Sequence, residues 1–331
     1  MIHTALTDTL DIRHPVLLAP MDLVADGKLA AAVSAAGGFG ILGGGYGDEA
    51  WLKKELDVAG KARVGVGFIT WSMARQPRLL DVTLERKPAA VMLSFGDPAP
   101  HADRIKRAGA LLICQVQSAA MAKDAVAKGA DIIVSQGTEG GGHGGSVSTM
   151  PLVPAIVDVV GNSVPVVAAG GIADGRGLAA ALMLGASGVL LGTRFYASTE
   201  AAGHAEAKKR IVAADETRSL RGILFDIARR NVWPAPFTGR CLANAHTDRW
   251  KGREGELMQR AQEVGADYLR AREAGNFDIA AVIAGESAGL IHDIRPAADI
   301  VDMLVAQAKA ALARRFEGVE ARARQVAAKA G

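Results

Sequence analysis

Short apolar runs alternate with alanine-rich stretches of helical period from residue 16 to about residue 213. The runs fall at 16–20, 39–44, 63–70, 89–96, 111–117, 131–137, 165–171 and 188–194. They are continuous rather than alternating, the pattern of parallel strands covered on both faces. Helical patterns lie between them, for example at 27–36, 118–128 and 175–184. Gly129-Ala130-Asp131 and Gly185-Ala186-Ser187 read as helix C-caps that feed the next strand. Eight strand–helix units in strict order predict an α/β fold, a (β/α)8 TIM barrel. A doubly wound open sheet would carry a Gly-x-Gly-x-x-Gly turn after its first strand. Here the first strand ends in Ala19-Pro20-Met21, so the barrel is the better reading.

Beyond residue 213 the pattern changes. Residues 216–255 carry Trp233, Pro234, Pro236, Trp250 and many charges, without strand runs. From 255 to 315 the chain reads helical, with 298–313 a clear amphipathic segment, while 278–290 ends in the small-residue loop Gly285 to Gly289. The organisation expected is a barrel over 1–213 and a mainly helical C-terminal extension over 214–331, packed on one end of the barrel and reaching the active-site mouth. The charged tail, Arg314 to Gly331, reads as a solvated helix end.

Composition narrows the function classes. The 331 residues are 50% hydrophobic and 22% charged with a net charge of +3, which gives no electrostatic case for nucleic acid or an acidic membrane. Aromatics at 5% leave little for a base-stacking surface. Cys114 and Cys241 form neither a metal-ligand spacing nor a disulfide framework. With no basic leader at the N-terminus and no apolar run of membrane-spanning length, a cytoplasmic location is expected.

In a barrel the chemistry sits at the C-terminal ends of the strands. That rule singles out Ala19-Pro20-Met21, Phe68-Ile69-Thr70, Gln115, the segment Gln136 to His143, Ala169-Gly170-Gly171 and Gly192-Thr193. Residues 135–145 hold one imidazole among six glycines. Such a run reads either as a loose turn or as backbone that lies against a ligand. A histidine there titrates near neutral pH. The glycine pairs at the ends of the seventh and eighth strands match the phosphate site of many barrels. Gln115 sits within an apolar strand, where its amide needs partners. Arg194 is expected to pair with a bound phosphate, with Asp174 or with Glu200. Gly43-Gly44-Gly45 reads as a mobile rim loop, and His14, His101, His204, His246 and His292 as surface or cap residues. No His/Asp/Glu grouping suggests a metal site, and no Gly-x-Ser-x-Gly elbow a hydrolase.

Taken together, Ala19-Pro20-Met21, the 29–40 run, Gln136-Gly137-Thr138-Glu139-x-Gly141-Gly142-His143, and Ala168 to Gly177 with Gly192-Thr193-Arg194-Phe195 resemble the nitronate monooxygenase family. The resemblance implies one non-covalent FMN. Its phosphate would rest on Ala169, Gly170, Gly171, Gly192 and Thr193, and its ring beside Ala19, Pro20, Met21, Gln115, Gly141 and Gly142. His143 would be the active-site histidine, and the partners an alkyl nitronate and O2, with a homodimer as the assembly. The reaction implied yields a carbonyl compound and nitrite. The same framework is similar to flavin-dependent enoyl-acyl-carrier-protein reductases and NAD(P)H:quinone reductases, which implies the alternative of an NAD(P)H-dependent FMN reductase.

Overall fold

The computed structural model describes residues 2–314. The charged tail from 315 onward lies outside the described residues.

Among the described residues, eleven strands form two sheets. The strands are β1 (Val16–Leu18), β2 (Gly40–Gly43), β3 (Val64–Ile69), β4 (Ala90–Ser94), β5 (Leu111–Val116), β6 (Ile132–Gln136), β7 (Gly142–Gly144), β8 (Val166–Ala169), β9 (Gly188–Leu191), β10 (Ser219–Gly222) and β11 (Thr238–Leu242). Eight of them, in the order β1-β9-β8-β6-β5-β4-β3-β2, pair in parallel. The remaining gap is bridged where Phe39 N–H donates to the Val16 carbonyl (2.9 Å) and Leu18 N–H to the Phe39 carbonyl (3.0 Å). The result is the expected (β/α)8 barrel.

Alternation along each strand sorts the side chains into two cores. Leu17, Ile41, Met92, Ile113, Val134 and Val167 point into the barrel, where Leu6 and Leu10 of the first helix join them and plug its N-terminal end. Leu18, Leu42, Val91, Leu112 and Ile133 point outward and pack beneath the helices. Gly129 and Gly185 both adopt φ +91°, so they end their helices in the left-handed conformation that the sequence predicted.

After β9 the chain leaves the ring and returns with the helix Ala297–Leu312, which packs on the helices Gly175–Met183 and Gly27–Ala35. Its Ile300, Val301 and Leu304 are fully buried in the core between strands and helices. The intervening chain carries its own apolar cluster, including Phe225, Trp250, Leu257 and Tyr268. It also contains two strands where the sequence pattern showed none. β10 and β11 pair antiparallel with each other, and β11 pairs antiparallel with β7. That second sheet carries the glycine-rich segment.

Candidate active site

At the C-terminal end of the barrel lies a cavity of about 370 Å³, within the range of about 300–1,000 Å³ usual for small-molecule sites. The twelve residues that the resemblance implies for the flavin and the active-site histidine all line it: Ala19, Pro20, Met21, Gln115, Gly141, Gly142, His143, Ala169, Gly170, Gly171, Gly192 and Thr193.

The glycine-rich segment is not a loose turn. Gln136 Nε2 donates to the His143 carbonyl (2.9 Å), while Gln136 Oε1 accepts from Gln115 Nε2 (3.2 Å) and Gln117 Nε2 (2.8 Å). The amide partner that Gln115 needed is therefore Gln136, which leaves the Gln115 carbonyl oxygen unpaired among the described residues. Two guanidiniums hold the loop from the other side. Arg221 donates to the carbonyls of Thr138 (2.8 Å) and Gly140 (3.0 Å) and also reaches that of Thr238. Arg240 adds a bond from Nε to the Thr138 carbonyl (2.9 Å) and an ion pair to Glu286 (2.9 Å). Burial first, then the neighbouring Arg240, pushes Arg221 down to about 10. It still carries its charge at neutral pH.

Glycine is required here for two separate reasons. Gly142 adopts φ +73°, and a Cβ on Gly141 would sit 2.7 Å from the carbonyl carbon of Ala284. The 285–289 loop is thus packed directly against the glycine segment. Gly285 N–H donates to Thr193 Oγ1 (2.9 Å) and Glu286 N–H to the Glu139 carbonyl (2.9 Å).

His143 leaves β7 into the cavity with its ring stacked on Trp233, centroids 3.5 Å apart and planes 7° from parallel. Its Nε2 lies 3.0 and 2.9 Å from the two Asp226 carboxylate oxygens. A carboxylate only accepts, so Nε2 carries the proton and Nδ1 is the basic nitrogen. Nδ1 has no partner among the described residues. Burial lowers the His143 pKa, against the opposing pull of Asp226. At neutral pH the ring is a neutral, oriented base. Trp233 is itself anchored, its Nε1 donating to the Tyr46 hydroxyl (3.0 Å).

At the ends of β8 and β9 the backbone opens. Gly170 and Gly171 adopt φ +102° and +74°. The N–H groups of Gly170, Gly171, Gly192 and Thr193 make no hydrogen bond among the described residues.

Three expectations are corrected by the geometry. Arg194 turns away from the cavity and pairs with Asp293 (3.0 Å), because its head is buried beside the Ala197 and Asp293 carbonyls. Asp174 is occupied by Arg176, and Glu200 accepts from Ala297 N–H. The Gly43 to Gly45 run is packed rather than free, since a Cβ on Gly44 would strike the Phe68 ring at 2.5 Å. His246 is buried and stacked on Phe225, although His204 does cap a helix as expected. Both cysteines are buried, and burial pushes their thiols up to about 12, so neither is a nucleophile.

A family model described as nitronate monooxygenase matches residues 3–62 and 52–307. The chain belongs to the nitronate monooxygenase family. It is accordingly an oxidoreductase of flavin-dependent type. The nitronate monooxygenase npaC of Metarhizium robertsii is 36% identical over 90% of this chain and 91% of its own length. FabK from Thermotoga maritima superposes with a TM-score of 0.83 at 33% identity, covering 98% of this chain and all of that one. The nitroalkane oxidase of Streptomyces ansochromogenes superposes with a TM-score of 0.78 at 25% identity, covering 93% of this chain and 99% of that one. No helix among the described residues is long and apolar enough to cross a membrane.

Sequence reasoning missed Asp226, Trp233, Tyr46, Arg221 and Arg240. In this member of the nitronate monooxygenase family, all but Tyr46 come from residues 219–242, where no periodicity marked them. The one available signal was a rare residue, Trp233, flanked by Pro234 and Pro236.

Proposed function

We propose that the protein is an FMN-dependent nitronate monooxygenase, which oxidises alkyl nitronates, and nitroalkanes after removal of an α-proton, with O2 to a carbonyl compound and nitrite. The observation that carries this reading is the His143 ring, fixed by Asp226 and Trp233 with its basic Nδ1 free, in the same cavity as four unpaired backbone N–H groups.

Those N–H groups suit the phosphate of FMN. Gly170, Gly171, Gly192 and Thr193 would hold it, because backbone donors without bulky side chains admit an anion closely. Ala19, Pro20, Met21, Gln115, Gly141 and Gly142 would flank the ring, with the free Gln115 carbonyl available to accept from a ring N–H. When bound, the flavin supplies electron transfer from substrate to oxygen. The protein's own residues do the rest. His143 Nδ1 takes the α-proton of a neutral nitroalkane, and Asp226 stabilises the imidazolium that forms. Trp233 holds the ring plane so that Nδ1 keeps its direction. A nitronate, already deprotonated, needs no base.

Aerobic nitrite release from an alkyl nitronate, assayed with and without NADPH, tests this. Release without NADPH is expected. Consumption of NADPH with no nitrite from any nitronate would overturn it in favour of an NAD(P)H-dependent reductase.

A second expectation concerns the cradle. Thr193→Trp is expected to yield apoprotein, read as lost flavin absorbance in a folded variant. Full flavin occupancy would show that the phosphate lies elsewhere.

A further inference from the structure

Most guanidiniums buried near the cavity have a partner. Arg194 holds Asp293, Arg221 holds loop carbonyls, and Arg240 holds Glu286. Arg229 and Arg272 are different. Both line the cavity, and neither guanidinium makes a hydrogen bond or ion pair with any described residue. Arg229 is half-buried, its guanidinium carbon 5.6 Å from the centre of the Tyr46 ring. Tyr46 carries Trp233, which carries His143, so Arg229 stands close to the basic imidazole without bonding to it. Arg272 is more exposed, at the rim.

The acidic groups that line the cavity do not satisfy them. Glu139 is spent on the N–H and hydroxyl of Thr149. Asp22 contacts neither guanidinium, though both act on it through space, and burial is the larger influence on its carboxyl. A half-buried guanidinium whose five donors meet no protein acceptor is left to water, and an anion that displaces that water finds every donor free.

We propose that Arg229, with Arg272 at the rim, forms an anion subsite in the cavity that receives a carboxylate or phosphate carried by the substrate away from its reacting carbon. It rests on the reading above in that the cavity is taken as the substrate chamber. The pair favours a planar carboxylate or a phosphate oxygen because a guanidinium offers a rigid fork of donors to either. Such an anion can come from the oxidised substrate itself or from a nucleotide co-substrate.

Binding of unreactive probes separates this from the reaction assignment. The flavin-loaded protein is titrated with butanoate, inorganic phosphate and butan-1-ol, and the fluorescence of its tryptophans is followed. Butanoate and phosphate are expected to bind and the alcohol not. Arg229→Gln is expected to weaken butanoate about tenfold or more, and Arg229→Lys, which keeps the charge, to weaken it less. Unchanged butanoate affinity in both Arg229→Gln and Arg272→Gln would overturn the subsite. Should nitronates prove not to be substrates while butanoate binding still follows Arg229, the reaction assignment alone fails.

The source of the anion is read from two preferences. One is kcat/KM for the nitronate of 4-nitrobutanoate over that of 1-nitrobutane, and the other is affinity for NADPH over NADH. Collapse of the first in Arg229→Gln assigns the subsite to a substrate carboxylate, and collapse of the second to a nucleotide phosphate. Both preferences unchanged would count against it as firmly as unchanged butanoate binding.

Discussion

At the scale of single residues, the proposed chemistry rests on one imidazole with three fixed relations. Asp226 sets the tautomer, Trp233 sets the plane, and burial sets the charge. Because the base must be neutral, kcat/KM on a neutral nitroalkane is expected to fall on the acid side through a pKa below the ordinary 6.5 of an imidazole. Asp226 raises the His143 pKa, so Asp226→Asn should move that acid limb to lower pH and also reduce the plateau. A limb that stays in place, or moves up, would remove Asp226 from the site. His143→Ala should cost about 10²–10⁴ in kcat/KM on a neutral nitroalkane and far less on the matching nitronate, which needs no base. Steady-state kinetics on both substrates check this, and equal losses on the two would contradict it. His143 was legible in the sequence because glycine on both sides has no packing role. Asp226 was not, since a lone acidic residue in a charged segment reads as surface, and only the fold carries it across a sequence separation of 83 to the imidazole.

At the scale of elements, the sequence showed the barrel strands because they are apolar throughout, whereas β10 and β11 read as SLRG and TGRCL. Their arginines break the hydrophobic pattern for a physical reason. Arg221 and Arg240 lie partly inside the structure, where their donors gather the carbonyls of the glycine segment instead of meeting solvent. An apolar side chain could not do that, since those carbonyls would be left unsatisfied. Arg221→Gln should therefore lower stability by about 2–3 kcal/mol and increase hydrogen exchange across residues 138–144, both measurable on the purified variant. Exchange there that matches the unmodified protein would mean that the loop is held by β11 and Gln136 alone.

At the scale of the whole molecule, the barrel was readable from period and order, and its C-terminal face from the chemistry at strand ends. The role of the helix Ala297–Leu312 was not. Its amphipathic period was plain, but only the fold reveals that its apolar face closes against the helices Gly27–Ala35 and Gly175–Met183. Burial lowers the pKa of His143, His14, His101 and His246 alike. The unfolded chain therefore binds more protons as pH falls through 6.5, and stability is lost on the acid side. Calorimetric Tm should be highest above that value and decline below it, and a Tm that rises on acidification through this window would contradict the burial. The proposed function requires that an alkyl nitronate reduce the bound flavin without a nicotinamide. Anaerobic mixing of the flavin-loaded protein with an alkyl nitronate tests it most directly, followed by absorbance. Bleaching of the oxidised flavin band by the nitronate, with none by NADPH, is the result predicted; bleaching by NADPH with none by the nitronate would contradict it.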